Sequence, residues 1–246
     1  MKNYAIIQHN YSEFLGLIES QLEKRDIGFN YFRPFVGQDL PGSALQFDAM
    51  FLLGGHIPSQ DRENMPWLES EKNLIGIFEK SKRPVVGIGM GGLLVAEFYG
   101  ATPVSEPLHN AYWTTAHITS AGKQDLLAQS VDGKKVLVMF NGDASLPEGL
   151  EPLLVDDYGH WIAIRPNELV YGLLFRPELK PGMIEDMIME AGRSTPDHIG
   201  DILQQARDEW ETSQRTTDAV IVALVKALDL MTERKKPPVF RINVES

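Results

Sequence analysis

Arg83-Pro84-Val85-Val86-Gly87-Ile88-Gly89-Met90-Gly91-Gly92-Leu93-Leu94-Val95-Ala96-Glu97-Phe98 is the stretch that decides the fold. Arg83 to Val86 is a short apolar run ending in Gly87, and Leu93 to Phe98 reads as a helix, so strand, tight turn and helix follow in order. That order is the build of a nucleophile elbow. Such a turn holds its central residue in a strained backbone conformation and lifts the side chain to a helix N-terminus, where developing negative charge is stabilised. Gly89 occupies the central position. Glycine takes the conformation without strain and presents no side chain, and the chain of 246 residues contains no cysteine.

Outward from the elbow, Tyr4 to Gln8 is a buried-strand pattern, and Ser12 is expected to cap a helix whose Phe14, Leu15, Leu17, Ile18 and Leu22 form one apolar stripe. The second strand is expected over 30–35. Asp48 to Leu53 is a third, continuously apolar and therefore covered on both faces. This alternation predicts an α/β fold: a mostly parallel twisted sheet flanked by helices, with ligands beyond the carboxyl ends of the strands. Gly54, Gly89 and Arg176 fall at such ends. Val136 to Phe140 and Trp161 to Arg165 are shorter strand-like runs.

Past residue 190 the pattern changes. Ser194-Thr195-Pro196-Asp197 signals a helix start. Ile199, Ile202, Leu203, Ala206 and Trp210 recur on one face, then Val220, Ile221, Leu224, Val225 and Leu228 on another, with a break expected near Gln214. The division predicted is 1–190 as one domain and 191–246 as a C-terminal helical extension. Its apolar stripes need a partner surface, either the same domain or a second copy in a homodimer. Val239 to Val244 alternates like a short edge strand.

Gly87 to Gly92 aligns residue for residue with the Gly-Ile-Cys-Leu-Gly-His elbow of class I glutamine amidotransferases, and the chain resembles that family over roughly residues 3 to 190. Leu53-Gly54-Gly55 resembles its oxyanion strand-loop, and Pro66-Trp67-Leu68 with Glu71 its next helix. Asn141-Gly142-Asp143 with Pro147 and Gly149 resembles its His-Gly-Asp segment, and Phe175-Arg176-Pro177-Glu178 its Phe-His-Pro-Glu. The resemblance implies the class I fold with its added antiparallel strands. It also implies a synthetase-like partner subunit, since family members deliver ammonia to one.

The departures fall on the catalytic positions. In the family a cysteine attacks the glutamine amide, a histidine activates it and a glutamate orients the histidine. Here Gly89 replaces the cysteine, Arg176 replaces the histidine, and only Glu178 remains. A guanidinium stays protonated and cannot act as a base. Asn110-Ala111-Tyr112-Trp113 is the best match to the family's glutamine-binding Glu-Ile-Gly-Trp, with Asn110 where a carboxylate would hold the substrate's ammonium. The expectation is a degenerate triad, hence a pseudoenzyme acting as a binding or regulatory subunit. The ligand-binding candidates are Gly54, Gly55, His56, Met90, Gly91, Asn110, Tyr112 and Arg176.

Two alternatives stay open. One is an active hydrolase or transferase on a γ-glutamyl-type amide, using a non-cysteine mechanism around His56, Arg176 and Glu178. Ser59, Ser105, Thr114 and Thr115 lie in expected loops near the mouth, but none follows a strand in an elbow. The other is a small-anion sensor, with Arg176 and the helix starting near Gly91 holding a carboxylate or phosphate. Against it stands an internal Arg176–Glu178 ion pair, the two side chains falling on the same strand face.

Formal net charge is −11, so the surface repels a phosphate backbone and nucleic acid is not expected as a partner. No run of about 18 apolar residues is present, which excludes a membrane-spanning helix, and Met1-Lys2-Asn3 leads directly into a core strand, which predicts a cytoplasmic protein. Without cysteine there are no disulfides or thiolate metal sites. The six histidines show no ligand spacing, so no metal is expected, and the resemblance brings no cofactor.

Overall fold

The computed structural model describes residues 2–55, 65–104, 110–140, 142–191 and 198–236. His56, Ser59, Ser105, Asn141, the Ser194–Asp197 helix start and the Val239–Val244 strand lie outside these residues. In chain order the elements are β1 (Lys2–Ile7), α1 (Leu17–Glu23), β2 (Ile27–Phe32), β3 (Ala49–Leu52), α2 (Trp67–Lys80), β4 (Val85–Ile88), α3 (Met90–Phe98), β5 (Thr102–Val104) and β6 (Asn110–Thr115). There follow β7 (His117–Ile118), α4 (Leu126–Val131), β8 (Lys135–Phe140), β9 (Asp143–Ser145), β10 (Leu154–Val155), β11 (Trp161–Asn167), β12 (Val170–Leu173), α5 (Pro181–Ala191), α6 (Ile199–Asp208) and α7 (Trp210–Ala227).

The main sheet runs β2-β1-β3-β4-β12-β11-β10-β7. Its first five strands are parallel and the last three turn antiparallel. β3, β4 and β12 are buried at every residue, as expected of strands covered by helices on both faces. β6 and β8 form a separate antiparallel ribbon in register from Asn110–Phe140 to Thr115–Lys135, and an isolated bridge between Val138 and Phe175 ties it to the end of β12. Of the two expected strand-like runs, Val136 to Phe140 lies in this ribbon as part of β8, beside Arg176, and Trp161 to Arg165 lies in the main sheet as part of β11.

Three local expectations are corrected. Ser12 does not cap α1. That helix starts at Leu17 after Gly16, which sits at φ 52° and ψ −118° with no side-chain cap, while the backbone N–H of Ser12 is taken by Glu190 of α5 at 2.9 Å. The second strand is 27–32 rather than 30–35, because Pro34 lacks an N–H and opens a short 3-10 turn over Pro34–Val36 instead. The helix break falls at Glu209, not near Gln214.

The apolar stripes of α6 and α7 are covered within the chain. Val220, Ile221, Ala223 and Leu224 of α7 join the main core with strands β1, β3 and β4. Ile199, Ile202 and Ala206 of α6 pack with Ala111, Leu137, Met183 and Ile184 in a second cluster. The observation that raised a homodimer is thereby accounted for inside one chain. Among the described residues no helix is long and apolar enough to cross a membrane.

Candidate functional site

The elbow forms as its sequence implies. Gly89 caps α3 at φ 57° and ψ −118°, a region in which a side chain is strained and glycine is not. Its N–H donates to the Leu173 carbonyl at 2.8 Å, and Gly91 N–H donates to the Leu53 carbonyl at 3.1 Å. The turn is thus pinned to the ends of β12 and β3. A Cβ at Gly91 would lie 2.1 Å from the Leu52 carbonyl oxygen, so this position is set by close helix–strand approach rather than by ligand contact.

Arg176 fills the space in front of Gly89. A Cβ built on Gly89 would have as its nearest neighbours Arg176 Cδ and Nη1 at 3.2 Å and Cζ at 3.3 Å. The guanidinium is held on three sides. Nε donates to Glu178 Oε1 at 2.6 Å, Nη1 to the Met139 carbonyl at 3.0 Å, and Nη2 to Glu13 Oε2 at 2.5 Å. The Arg176 backbone N–H donates to the Leu137 carbonyl at 2.8 Å, so the β8 ribbon grips both backbone and head group.

One buried cation therefore serves two buried carboxylates. Burial pulls the Arg176 pKa down, but the charges of Glu178 and Glu13 outweigh it and hold the guanidinium protonated. For Glu178, burial pushes the carboxyl above its usual range against the opposing pull of Arg176, and Glu13 adds to the rise. One guanidinium cannot fully compensate two neighbouring acids in a low-dielectric site. Glu178 Oε2 is buried and has no hydrogen-bond partner among the described residues.

Gly54 is wedged into the same cluster. A Cβ there would fall 1.9 Å from Glu13 Oε2 and 2.3 Å from Arg176 Nη2, so a side chain at this position would have to displace the Arg176–Glu13 pair. Its neighbour Gly55 lies against His9 and Met90: a Cβ would be 2.6 Å from His9 Cβ and 3.2 Å from Met90 Sδ. Met90 itself is buried in a small apolar cluster with Leu68 and Leu94.

His9 supports this loop from beneath. Nδ1 lies 3.0 Å from the Leu53 carbonyl and 3.1 Å from the Gly54 carbonyl, while Nε2 lies 3.0 Å from Glu71 Oε2. Carbonyls only accept, so Nδ1 carries a hydrogen, and the contact with Glu71 requires a second proton between ring and carboxylate. Burial alone pulls the His9 pKa down. The charge and hydrogen bond of Glu71, with smaller help from Gly54 and Glu13, outweigh it, and the net shift is upward.

The remaining candidates do not converge on Arg176 in the same way. The Tyr112 hydroxyl donates to Asp156 Oδ2 at 2.8 Å, and its pKa is raised by burial and by that carboxylate. Asn110 opens β6 opposite Phe140. Thr114 and Thr115, expected in loops, lie on β6. Thr114 Oγ1 donates to Asp157 Oδ2 at 2.9 Å, and the Thr115 N–H donates to the same oxygen at 2.9 Å. Among the described residues no group of three or more His, Cys, Asp or Glu side chains could hold a metal ion.

Sequence reading missed Glu13 and His9 as site residues and gave Glu71 no partner. Two signals were available. His9 and Glu13 are polar residues in the loop after β1, at a strand end where an α/β sheet builds its sites. Glu71 recurs with Leu68, Ile75 and Phe78 at helical spacing on the buried face of α2, and a carboxylate on an apolar stripe asks for a buried partner.

No family model matches the chain. A curated glutamine amidotransferase-like protein, YfeJ of Salmonella typhimurium, is 25% identical over 198 residues, covering 79% of this chain and 83% of that one. A glutamine amidotransferase crystal structure from Thermotoga maritima superposes with a TM-score of 0.77 at 20% identity, covering 93% of this chain and 98% of that one. A GMP synthase subunit from Thermoplasma acidophilum superposes with a TM-score of 0.55 at 13% identity, over 90% and 95% of the two chains. In sequence the chain is similar to a glutamine amidotransferase-like protein, and its fold is that of the class I glutamine amidotransferases.

Proposed function

We propose that the chain is a glutamine amidotransferase-like protein that has lost glutaminase activity and acts as a binding or regulatory subunit. One observation carries this reading: Arg176, which cannot accept a proton, lies directly over a glycine at the elbow. Acyl transfer from glutamine needs a nucleophile at the elbow and a base within hydrogen-bond reach of it. Among the described residues the three atoms nearest a Cβ at Gly89 all belong to Arg176, which supports a reading in which neither role is filled there.

The anion-sensor alternative gains no support, since Arg176 is already committed to two carboxylates. A rebuilt hydrolase gains none from Thr114, whose hydroxyl is engaged with Asp157. A synthetase-like partner is supported by the fold shared with a component of GMP synthase, and partner choice would then rest on the outer surface rather than on the elbow.

The test is ammonia or amine release from glutamine and a panel of γ-glutamyl amides by the purified chain, with an Arg176→Ala, Glu178→Ala variant as background. Equal rates in the two proteins are expected. Release by the wild-type chain that the variant lacks would overturn the reading and establish a working site around another nucleophile.

A further inference from the structure

The geometry points to a specific ligand class for the space above Gly89. Three acceptors face one point there: Glu13 Oε2, Glu178 Oε1 and the Met139 carbonyl oxygen. Each takes one nitrogen of a planar cation, at 2.5, 2.6 and 3.0 Å respectively. Planar, charge-assisted recognition from several sides is how carboxylates select guanidinium over a spherical ammonium. The flanks are glycines: Gly54 against Nη2 and Cζ, Gly89 against Nη1 and Cδ.

The acceptors are themselves held. Asn10 Nδ2 donates to Glu13 Oε1 at 2.8 Å, and the Glu13 N–H donates to Asn10 Oδ1 at 2.8 Å. The Glu178 carbonyl accepts the N–H of Leu17 at 2.9 Å. Thr217 of α7 donates its hydroxyl to the Pro177 carbonyl, fixing the segment between Arg176 and Glu178. The receptor is thus built by β1's loop, β8, β12's end and α7, and only its occupant comes from Arg176.

We propose that Glu13, Glu178 and the Met139 carbonyl form a guanidinium-selective pocket, occupied in cis by Arg176, which closes the space above Gly89 to anions and to neutral amides. The charge count decides against an anion. Two acids surround one base, so a carboxylate or phosphate entering would meet net negative charge, whereas a guanidinium replaces what is there. A neutral amide lacks the charge that offsets burying Glu13 and Glu178. This selectivity does not depend on whether the chain serves a partner subunit.

The test uses the full chain carrying Arg176→Ala, with N-ethylguanidinium as the probe, since it restores the atoms from Cγ outward. N-ethylurea, of nearly the same shape but uncharged, and tetramethylammonium, charged but without N–H groups, are the controls. At tens of millimolar, far below the molar range in which guanidinium denatures, N-ethylguanidinium should raise the thermal midpoint of Arg176→Ala saturably, with a dissociation constant on the order of 1 mM. The wild-type chain should not respond. Adding Glu13→Gln to the Arg176→Ala variant should weaken the probe at least about tenfold. Should Arg176→Ala aggregate, its refolding yield with each probe becomes the readout. Equal rescue by N-ethylurea, no rescue by any probe, or an equal response of the wild-type chain would each overturn the proposal.

Discussion

Arg176 lies against Gly89 so closely that its Cδ and Nη1 would stand 3.2 Å from a Cβ at that position. Arg176 therefore occupies the space into which a side chain at residue 89 would project.

Steric order follows from the same contacts. Gly89→Ala should cost about 1–2 kcal/mol, mainly because an L side chain is strained at positive φ. Gly54→Ala should cost more, at least about 3 kcal/mol, because its Cβ cannot fit without breaking the Arg176–Glu13 pair and overpacking the core. Urea denaturation midpoints of the two variants check the order. Equal midpoints would mean that the ion-pair cluster can shift to accommodate a methyl group.

Charge asymmetry gives a second expectation. Arg176→Met leaves Glu13 and Glu178 buried without a cation and should cost about 3–5 kcal/mol. Glu178→Gln leaves one base with one acid, and the lost partner is the carboxylate with an orphan oxygen, so the cost should stay near about 1 kcal/mol. Chemical denaturation of both variants decides. A larger loss for Glu178→Gln would show that Glu178, rather than Glu13, dominates the pairing.

Two raised pKa values set the pH response. His9 is raised above its ordinary 6.5, so its stabilisation is fully present below that value and is lost as pH rises through the folded pKa. Glu178 is raised above 4.5, so its contribution is likewise present below that value and lost on going up. Both act in one direction. The thermal midpoint of the wild-type chain should fall above pH 6.5 more steeply than that of His9→Gln. Parallel curves would mean that the His9–Glu71 pair exchanges no proton over that range.

On the acid side Asp48 acts oppositely. Burial pushes its carboxyl up, but bonds from Lys236, Arg234 and Asn3 outweigh burial and lower its pKa below 3.8. Its stabilisation is present above that value and lost as pH falls through the folded pKa. Asp48→Asn should therefore flatten the acid limb of the midpoint curve, and an unchanged limb would assign acid unfolding to other carboxylates.

Truncation tests how far the C-terminal helices belong to the fold. Val220, Ile221 and Leu224 of α7 are buried in the main core, and Thr217 bonds the Pro177 carbonyl beside Arg176. A chain ending at residue 190 should not fold cooperatively, since removing three such side chains alone forfeits about 5–9 kcal/mol of apolar burial. A sharp thermal transition in the shortened chain would make the 1–190 segment an autonomous domain.

The local architecture around residue 89 was legible because glycine and apolar runs dictate it. Val85 to Ile88 could only be a buried strand, Gly89 could take positive φ, and the order strand-turn-helix repeated the family's elbow. The α1 start was misread because Ser12 is a generic capping residue, whereas the actual stop is Gly16 in an unusual conformation. The expected pairing of Arg176 with Glu178 was readable from their two-residue spacing on an extended segment, and the two bond at 2.6 Å.

What the sequence determined by itself is which groups are present: a glycine at the strand-to-helix turn, an obligate cation at residue 176, and a mostly parallel sheet implied by alternating apolar periodicities. Those properties are local, fixed by one residue's chemistry or by spacing within a single element. What only the tertiary structure decided is who meets whom. Glu13 reaches Arg176 across 163 residues of chain, and His9 reaches Glu71 across 62. Long-range pairs of this kind leave no periodicity in the sequence, because they depend on which strands lie side by side and on where their loops end. Whether Arg176 would be a free anion-binding cation or a charge enclosed by two acids was therefore a question that only the packed chain could answer.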